Sequence, residues 1–111
     1  MKEIKAYVHR NRIADVISAL KGSTSWAATG SGEHNLTAYM VKGSLVPLDD
    51  DERHYSLDLG DEVVNEYKLE LHCADEHVDE LVDTIRAAGR TGQANSGWIY
   101  VADIASAVAI A

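Results

Sequence analysis

An alternating run followed by an amphipathic helical stripe occurs twice in this chain, once near each end, and that repetition constrains the fold more than any other feature. Lys2 to His9 alternates, with Ile4, Ala6 and Val8 on one face and Lys5, Tyr7 and His9 on the other. This is the period of a strand that rests one face on a core. Ile13, Val16, Ile17 and Leu20 then fall at i, i+3, i+4 and i+7, a single helical stripe. Asn11 is a candidate N-cap, and Gly22, just past Lys21, is a natural stop because glycine tolerates the left-handed conformation. Ser23 to Ala28 reads as a second strand around Trp26. The pattern returns where Tyr67, Leu69, Leu71 and Cys73 alternate with Lys68, Glu70 and His72. Asp75 can cap a helix carrying Val78, Leu81, Val82 and Ile85, and Trp98 to Val101 follows a Gly-rich turn as a last strand. Two strand–helix–strand halves predict an α+β, ferredoxin-like βαββαβ sandwich: a four-stranded antiparallel sheet with both helices on one face.

The chain of 111 residues suits one domain, 1–111, with one hydrophobic core. A formal charge of −8 argues against nucleic acid, whose phosphates need a basic partner surface. No apolar run approaches the roughly 18 residues of a membrane span, and the opening Met1-Lys2-Glu3-Ile4-Lys5 lacks a signal-peptide core. With Cys73 as its single cysteine, the chain is expected to be cytoplasmic.

The connection between the halves, about residues 30–66, is too long for a mere link and is expected to be functional. It holds Gly30, Gly32, Gly43, Pro47, the acidic run Asp49 to Glu52, and Gly60. Leu36 to Val41 and His54 to Leu59 can extend as strands, around a centre that reads as mobile. The sheet face away from the helices would carry Tyr7, His9, Lys68, Glu70 and His72, and a two-layer domain leaves it open unless another subunit covers it. An oligomer is therefore expected.

Residues Thr91-Gly92-Gln93-Ala94-Asn95-Ser96-Gly97-Trp98-Ile99-Tyr100-Val101 resemble the T-G-x-x-G-D-G-K-I-F-V stretch of the PII nitrogen-regulatory proteins. The opening Met1-Lys2-Glu3-Ile4-Lys5-Ala6 is similar to that family's M-K-K-I-x-A, and Lys68-Leu69-Glu70-Leu71 to its K-I-E-I strand. From Glu70 to Thr91 the two align without a gap, and Gly30-Ser31-Gly32 stands where the family has G-F-G at the start of its T-loop. The resemblance implies a homotrimer whose inter-subunit clefts bind adenine nucleotides. It also implies a T-loop, here about 30–66, that reports occupancy to a regulatory target protein. By family analogy that target includes membrane transporters. Carried over, Gly30, Ser31 and Gly32 form the T-loop base, and Thr24 matches a residue lining the adenine pocket. Glu70 sits in the matching strand. Thr91 and Gly92 open the phosphate-side B-loop, and Gly97 keeps its last glycine.

The departures redirect the ligand. The family's B-loop lysines are replaced by Gln93 and Trp98, its first glycine and aspartate by Asn95 and Ser96, and its C-terminal arginines by Ala109 and Ala111. Each lost cation removes charge-assisted hydrogen bonds worth roughly 1.5–3 kcal/mol. Arg90 can supply one replacement, and backbone N–H groups of the turn can cradle an anion. The expected effector is therefore AMP or ADP rather than ATP, with a cyclic nucleotide or a bicarbonate-like anion also open. No cofactor is expected to be obligatory. The T-loop lacks R-G-A-E-Y, so nucleotidylation of a tyrosine is not expected.

Two other readings stay open. One is a metal-responsive trimer of the copper-tolerance CutA type, which shares the fold. The histidines His9, His34, His54, His72 and His77 lack metal-motif spacing, however, and no metal site is predicted. His9 and His72 are the pair placed as neighbours on one sheet face. The other reading is a protein-interaction module that has lost its small ligand. The acidic run lacks the calcium-loop pattern and reads as a solvated tip. No nucleophile–base, paired-carboxylate or Walker signature stands out, so no catalytic residue is assigned and an enzyme is not expected.

Overall fold

The computed structural model describes residues 1–30 and 32–111. Strand β1 spans Lys2–His9 and leads into helix α1, Ile13–Lys21. A one-turn helix α2, Thr24–Ala27, follows, then β2, Thr37–Gly43. A 3-10 turn at Asp50–Glu52 precedes the short β3, His54–Ser56, and the long β4, Asp61–Cys73. A second 3-10 turn, Asp75–His77, runs into α3, Val78–Ala88, and β5, Trp98–Asp103, closes the sheet. The sheet order is β2-β4-β1-β5, with β3 pairing off β4. Every pairing is antiparallel. This is the ferredoxin-like arrangement.

The alternation in β1 and β4 produces the core directly. Ile4, Ala6 and Val8 meet Leu69, Leu71 and Cys73 beneath Val16 and Leu20 of α1 and Leu81 and Ile85 of α3, all buried. Both helices thus lie on one face. Burial of this apolar stripe is the main favourable term in folding. It also raises the pKa of the Cys73 thiol, leaving it un-ionised in the core.

Local chemistry overrides several sequence expectations. Ser23 to Ala28 is not a strand. The Ser23 hydroxyl accepts the Trp26 N–H at 3.3 Å and caps α2, while Glu80 holds the Ser25 N–H at 3.1 Å and its hydroxyl at 2.6 Å. Trp26 stacks on the buried His34 ring, centroids 3.8 Å apart. Capping and tertiary contacts thus win over the strand preference of tryptophan, and β2 supplies the second strand instead. Asn11 does not cap α1, since Arg12 holds the N-cap position without a side-chain bond. Gly22 stops α1 with φ −86°, an ordinary right-handed value. Asp75 does not cap α3; its carboxylate pairs with the Met1 amine at 2.8 Å.

The long connection is folded rather than loose through its centre. β4 begins at Asp61, ahead of the expected Tyr67, because Val63 and Val64 are buried against neighbours. The acidic run is only partly a solvated tip. Asp50 and Asp51 are exposed, whereas the Glu52 side chain is 10% exposed and draws the loop onto the end of β1.

Candidate functional site

A cleft of about 390 Å³ opens where the end of α3 and the turn before β5 meet β1. Its floor is apolar, from Val8, Val82, Ile85 and Ile99, and its rim is polar, from Arg86, Arg90, Gln93, Asn95 and Ser96. Trp98 stands at one edge, half exposed. The turn holds its shape through residues that accept positive φ, Gly92 at 89° and Asn95 at 57°. Gly97 is fixed by close approach: a Cβ there would lie 2.7 Å from the Tyr7 carbonyl oxygen. The Gln93 N–H meets Thr91 Oγ1 at 3.4 Å, and Ala94 and Asn95 form a hydrogen-bonded turn. Backbone amides of such a turn can meet an anion.

Two guanidinium groups give this cleft its sign. Arg86 has one long pairing, to Asp83 at 3.9 Å. Arg90 has no side-chain partner among the described residues. Planar donors of this kind bind carboxylate or phosphate oxygens in pairs.

A second cleft, about 450 Å³, lies on the sheet face opposite the helices, bounded by Tyr7, Ser44 to Val46, Glu66 and Tyr100. It shares Tyr7, Asn95 and Trp98 with the first. On the same face Lys68 pairs with Glu70 at 3.1 Å and lies 5.7 Å from the Tyr7 ring centroid and 5.5 Å from that of Tyr39. Hydrogen bonding by Tyr39 and Glu70 raises the Lys68 pKa. The Lys68 bond in turn keeps the Glu70 carboxyl below its ordinary range.

The sequence-predicted site residues therefore separate into groups. Arg90, Asn95, Ser96 and Gly97 converge on the first cleft, and Thr91 and Gly92 carry its turn. Thr24 starts α2 on the surface, and Gly30 and Gly32 form the bend after it, where the Glu33 N–H reaches the Gly30 oxygen at 3.3 Å. Ser31 lies outside the described residues. Glu70 is engaged by Lys68 and by the Tyr39 hydroxyl at 3.0 Å. Within one chain, Thr24, Gly30, Gly32 and Glu70 line neither cleft.

Sequence reasoning missed Arg86, which sits one helical turn before Arg90 on the same helix end. It also missed Glu52 and Glu66. Glu52 accepts the Leu48 and Asp49 N–H groups at 2.9 and 3.0 Å and meets His9 Nε2 at 2.7 Å and Arg10 Nε at 3.4 Å. Burial alone would lift the Glu52 pKa, but these hydrogen bonds outweigh it and the net shift is downward. Because His9 Nδ1 accepts the Asn11 N–H at 3.0 Å, the ring proton sits on Nε2 and is donated to Glu52.

His34, His72 and His77 lie near one another, the His72 N–H donating to the His34 oxygen at 2.9 Å and both neighbours adding to the downward pKa shift of His34, but His9 stands apart. His9 and His72 share a sheet face but not a neighbourhood, since the antiparallel register sets His9 opposite Glu66 and Glu3 opposite His72. That places them about 20 Å apart along the strands. His34 is buried against Trp26, and burial lowers its pKa. Among the described residues no group of three or more His, Cys, Asp or Glu is placed to hold a metal ion. Among them, too, no helix is long and apolar enough to cross a membrane.

Comparison with known proteins identifies the family. The family model for nitrogen regulatory protein P-II matches residues 1–111. The nitrogen regulatory protein P-II 2 of Methanothermobacter thermautotrophicus is 28% identical over 110 residues, covering 99% of this chain and 89% of that protein. The P-II protein of Pyropia yezoensis is 28% identical over 115 residues, covering 99% and 91%. That of Bradyrhizobium diazoefficiens is 29% identical over 115 residues with the same coverage. With a family pattern running its whole length, this chain belongs to the nitrogen regulatory protein P-II family.

Proposed function

We propose that this regulatory protein senses a small adenine nucleotide, AMP or ADP in preference to ATP, alone or with a bicarbonate-like anion. The observation that carries the reading is the first cleft. It has an apolar floor, Arg86 and Arg90 at the rim, and the backbone amides of the turn above. The arginines and amides would take one or two phosphates, and Trp98 offers a ring face for a base. Two cations suit a short phosphate chain better than a triphosphate. Thr24 and the Gly30–Gly32 bend would complete the pocket from a neighbouring subunit, in a homotrimer assembled through the open sheet face.

The loop from Ser44 to Gly60 would carry the signal. It displays Tyr55, Leu57 and Leu59, exposed by 61%, 89% and 58%, an apolar tip suited to a protein target such as a membrane transporter in a cytoplasmic setting. Effector binding would act by population shift, changing the fraction of loops docked through Glu52. The test is titration calorimetry of the protein, its oligomeric state fixed by sedimentation, against AMP, ADP, ATP, cyclic AMP and bicarbonate. Heat from AMP or ADP exceeding that from ATP supports the reading, and no heat from any of them refutes it.

One observation favours a second reading. The loop is already docked by the Glu52–His9 bond, which suits a module that binds its target constitutively. Target capture that is indifferent to added nucleotide would select this reading.

A further inference from the structure

Where the chain leaves α2 for β2, a buried imidazole holds it in place. His34 is 3% exposed and lies flat on Trp26, with ring centroids 3.8 Å and planes 13° apart. Trp26 in turn packs against the core. Among the described residues, one side chain meets the polar edge of the His34 ring. The Thr29 hydroxyl oxygen lies 3.2 Å from Nε2 and 3.4 Å from Nδ1, and it donates its own proton to the Trp26 carbonyl oxygen at 3.1 Å. The His34 carbonyl oxygen accepts the His72 N–H at 2.9 Å, which ties the segment to β4. Asn35, the next residue, sits at φ 46°, a left-handed value that asparagine adopts at some cost.

A charged His34 is poorly housed in this setting. An imidazolium carries two N–H donors, and here both would share one hydroxyl oxygen. His72 from β4 and His77 from the turn after it oppose a charge on His34, while Glu33, its chain neighbour, favours one. Glu80 of α3, which reaches the α2 side, is spent on the N–H and hydroxyl of Ser25. His77 adds to the shortage of partners, since its Nδ1 is buried with none among the described residues. The Trp26 ring face attracts a cation, but burial and the two histidines act against it, and the His34 pKa lies below its ordinary 6.5. A base of this kind adds stability that is complete above the ordinary value and is lost as pH falls through the folded one.

We propose that His34 is an acid-sensitive latch: its protonation breaks the stack on Trp26 and releases residues 32–36, the stretch that leads into β2 and the long loop. On release the charged ring gains water, the backbone bond to His72 is given up, and Asn35 is free to leave its left-handed conformation. No step needs an open surface, because the ring is already buried within one chain. The latch does not rest on nucleotide binding, since Trp26, Thr29 and His34 line neither cleft. It is also separate from the Glu52 contact. That carboxyl lies below its ordinary 4.5 and stays charged over the range in which histidines titrate.

The test is amide exchange followed by NMR on the full-length protein, in its native oligomeric state, from about pH 8 to about pH 5. Rates are expressed as protection, so that the intrinsic pH dependence of exchange cancels. Protection of the His72 N–H is expected to fall by up to about tenfold for each pH unit below 6.5, until the folded pKa of His34 is reached. The Trp26 indole resonance should shift over the same range. His34→Gln cannot take a charge and is expected to keep protection level throughout. His77→Gln leaves the stack and the Thr29 contact in place, removes one opposing charge, and is expected to cut the acid effect by about twofold or more. Flat protection of the His72 N–H in the unaltered protein, or an acid loss that persists in a folded His34→Gln protein, overturns the proposal. Should His34→Gln fail to fold, an undiminished acid loss in His77→Gln overturns it instead.

Discussion

The two faces of the central sheet are made from the same strands and follow different rules. On the helix side, Ile4, Ala6, Val8, Leu69, Leu71 and Cys73 are all apolar and buried, and any of them is understood from its period alone. On the other side Tyr7, Lys68, Glu70 and Glu66 come from the same alternation, yet each has a distinct partner. Lys68 lies between two tyrosines and a carboxylate, and Glu66 has one backbone amide. The difference shows where this small domain keeps most of its stability. Exchange on the first face is expected to cost more free energy than exchange on the second.

The largest effect should come from the covered face. Leu69→Ala or Leu81→Ala, each at a site with no exposure, is expected to cost about 2–5 kcal/mol in a denaturant melt. Gly97→Ala tests the seam where β5 leaves the turn. With 2.7 Å between the new Cβ and the Tyr7 oxygen, backbone must shift, and a loss of about 1–3 kcal/mol is expected. A neutral outcome would show that the turn is looser than its contacts indicate.

The open face should respond more weakly, and in one case with the opposite sign. Glu52→Ala removes an acceptor shared by two amides and His9, and hydrogen exchange of residues 44–60 is expected to quicken. The Glu52 pKa is depressed in the fold, so the stability it contributes is complete above its ordinary value of 4.5 and lost as pH falls through the lower folded value. The loop should therefore loosen in acid. Glu66 runs the other way. Its pKa is raised in the fold, so its contribution is favourable at low pH and lost as pH rises through that folded value. Glu66→Gln is accordingly expected to raise neutral-pH stability, by up to about 1 kcal/mol, with the gain vanishing in acid. A destabilised Glu66→Gln protein would mean that the carboxylate already has a counter-ion.

The same contrast explains what could be read from the residues alone. The stripes of α1 and α3 and the alternation of β1 and β4 are repeating patterns, and a period survives without knowledge of neighbours. The turn from Thr91 to Gly97 was legible because it is Gly-rich and resembles a family stretch. The helical turn at Thr24–Ala27 was not, because its cap depends on Ser23 and its anchor on Glu80, far away in sequence. Glu66 read only as the end of the long connection until β4 reached back to Asp61 and set it against Gly43. Arg86 became part of the cleft only once α3 was set beside β5.

The first cleft and the loop docked through Glu52 meet the same end of β1, at Tyr7 and Val8 and at His9, and the proposed function requires an effector in the one to alter the other. Hydrogen exchange by mass spectrometry, with and without saturating ADP, tests that link most directly. The expected result is slower exchange in residues 90–97 together with an altered rate in residues 44–60. Protection confined to residues 90–97 at saturation, with the loop unchanged, would contradict it.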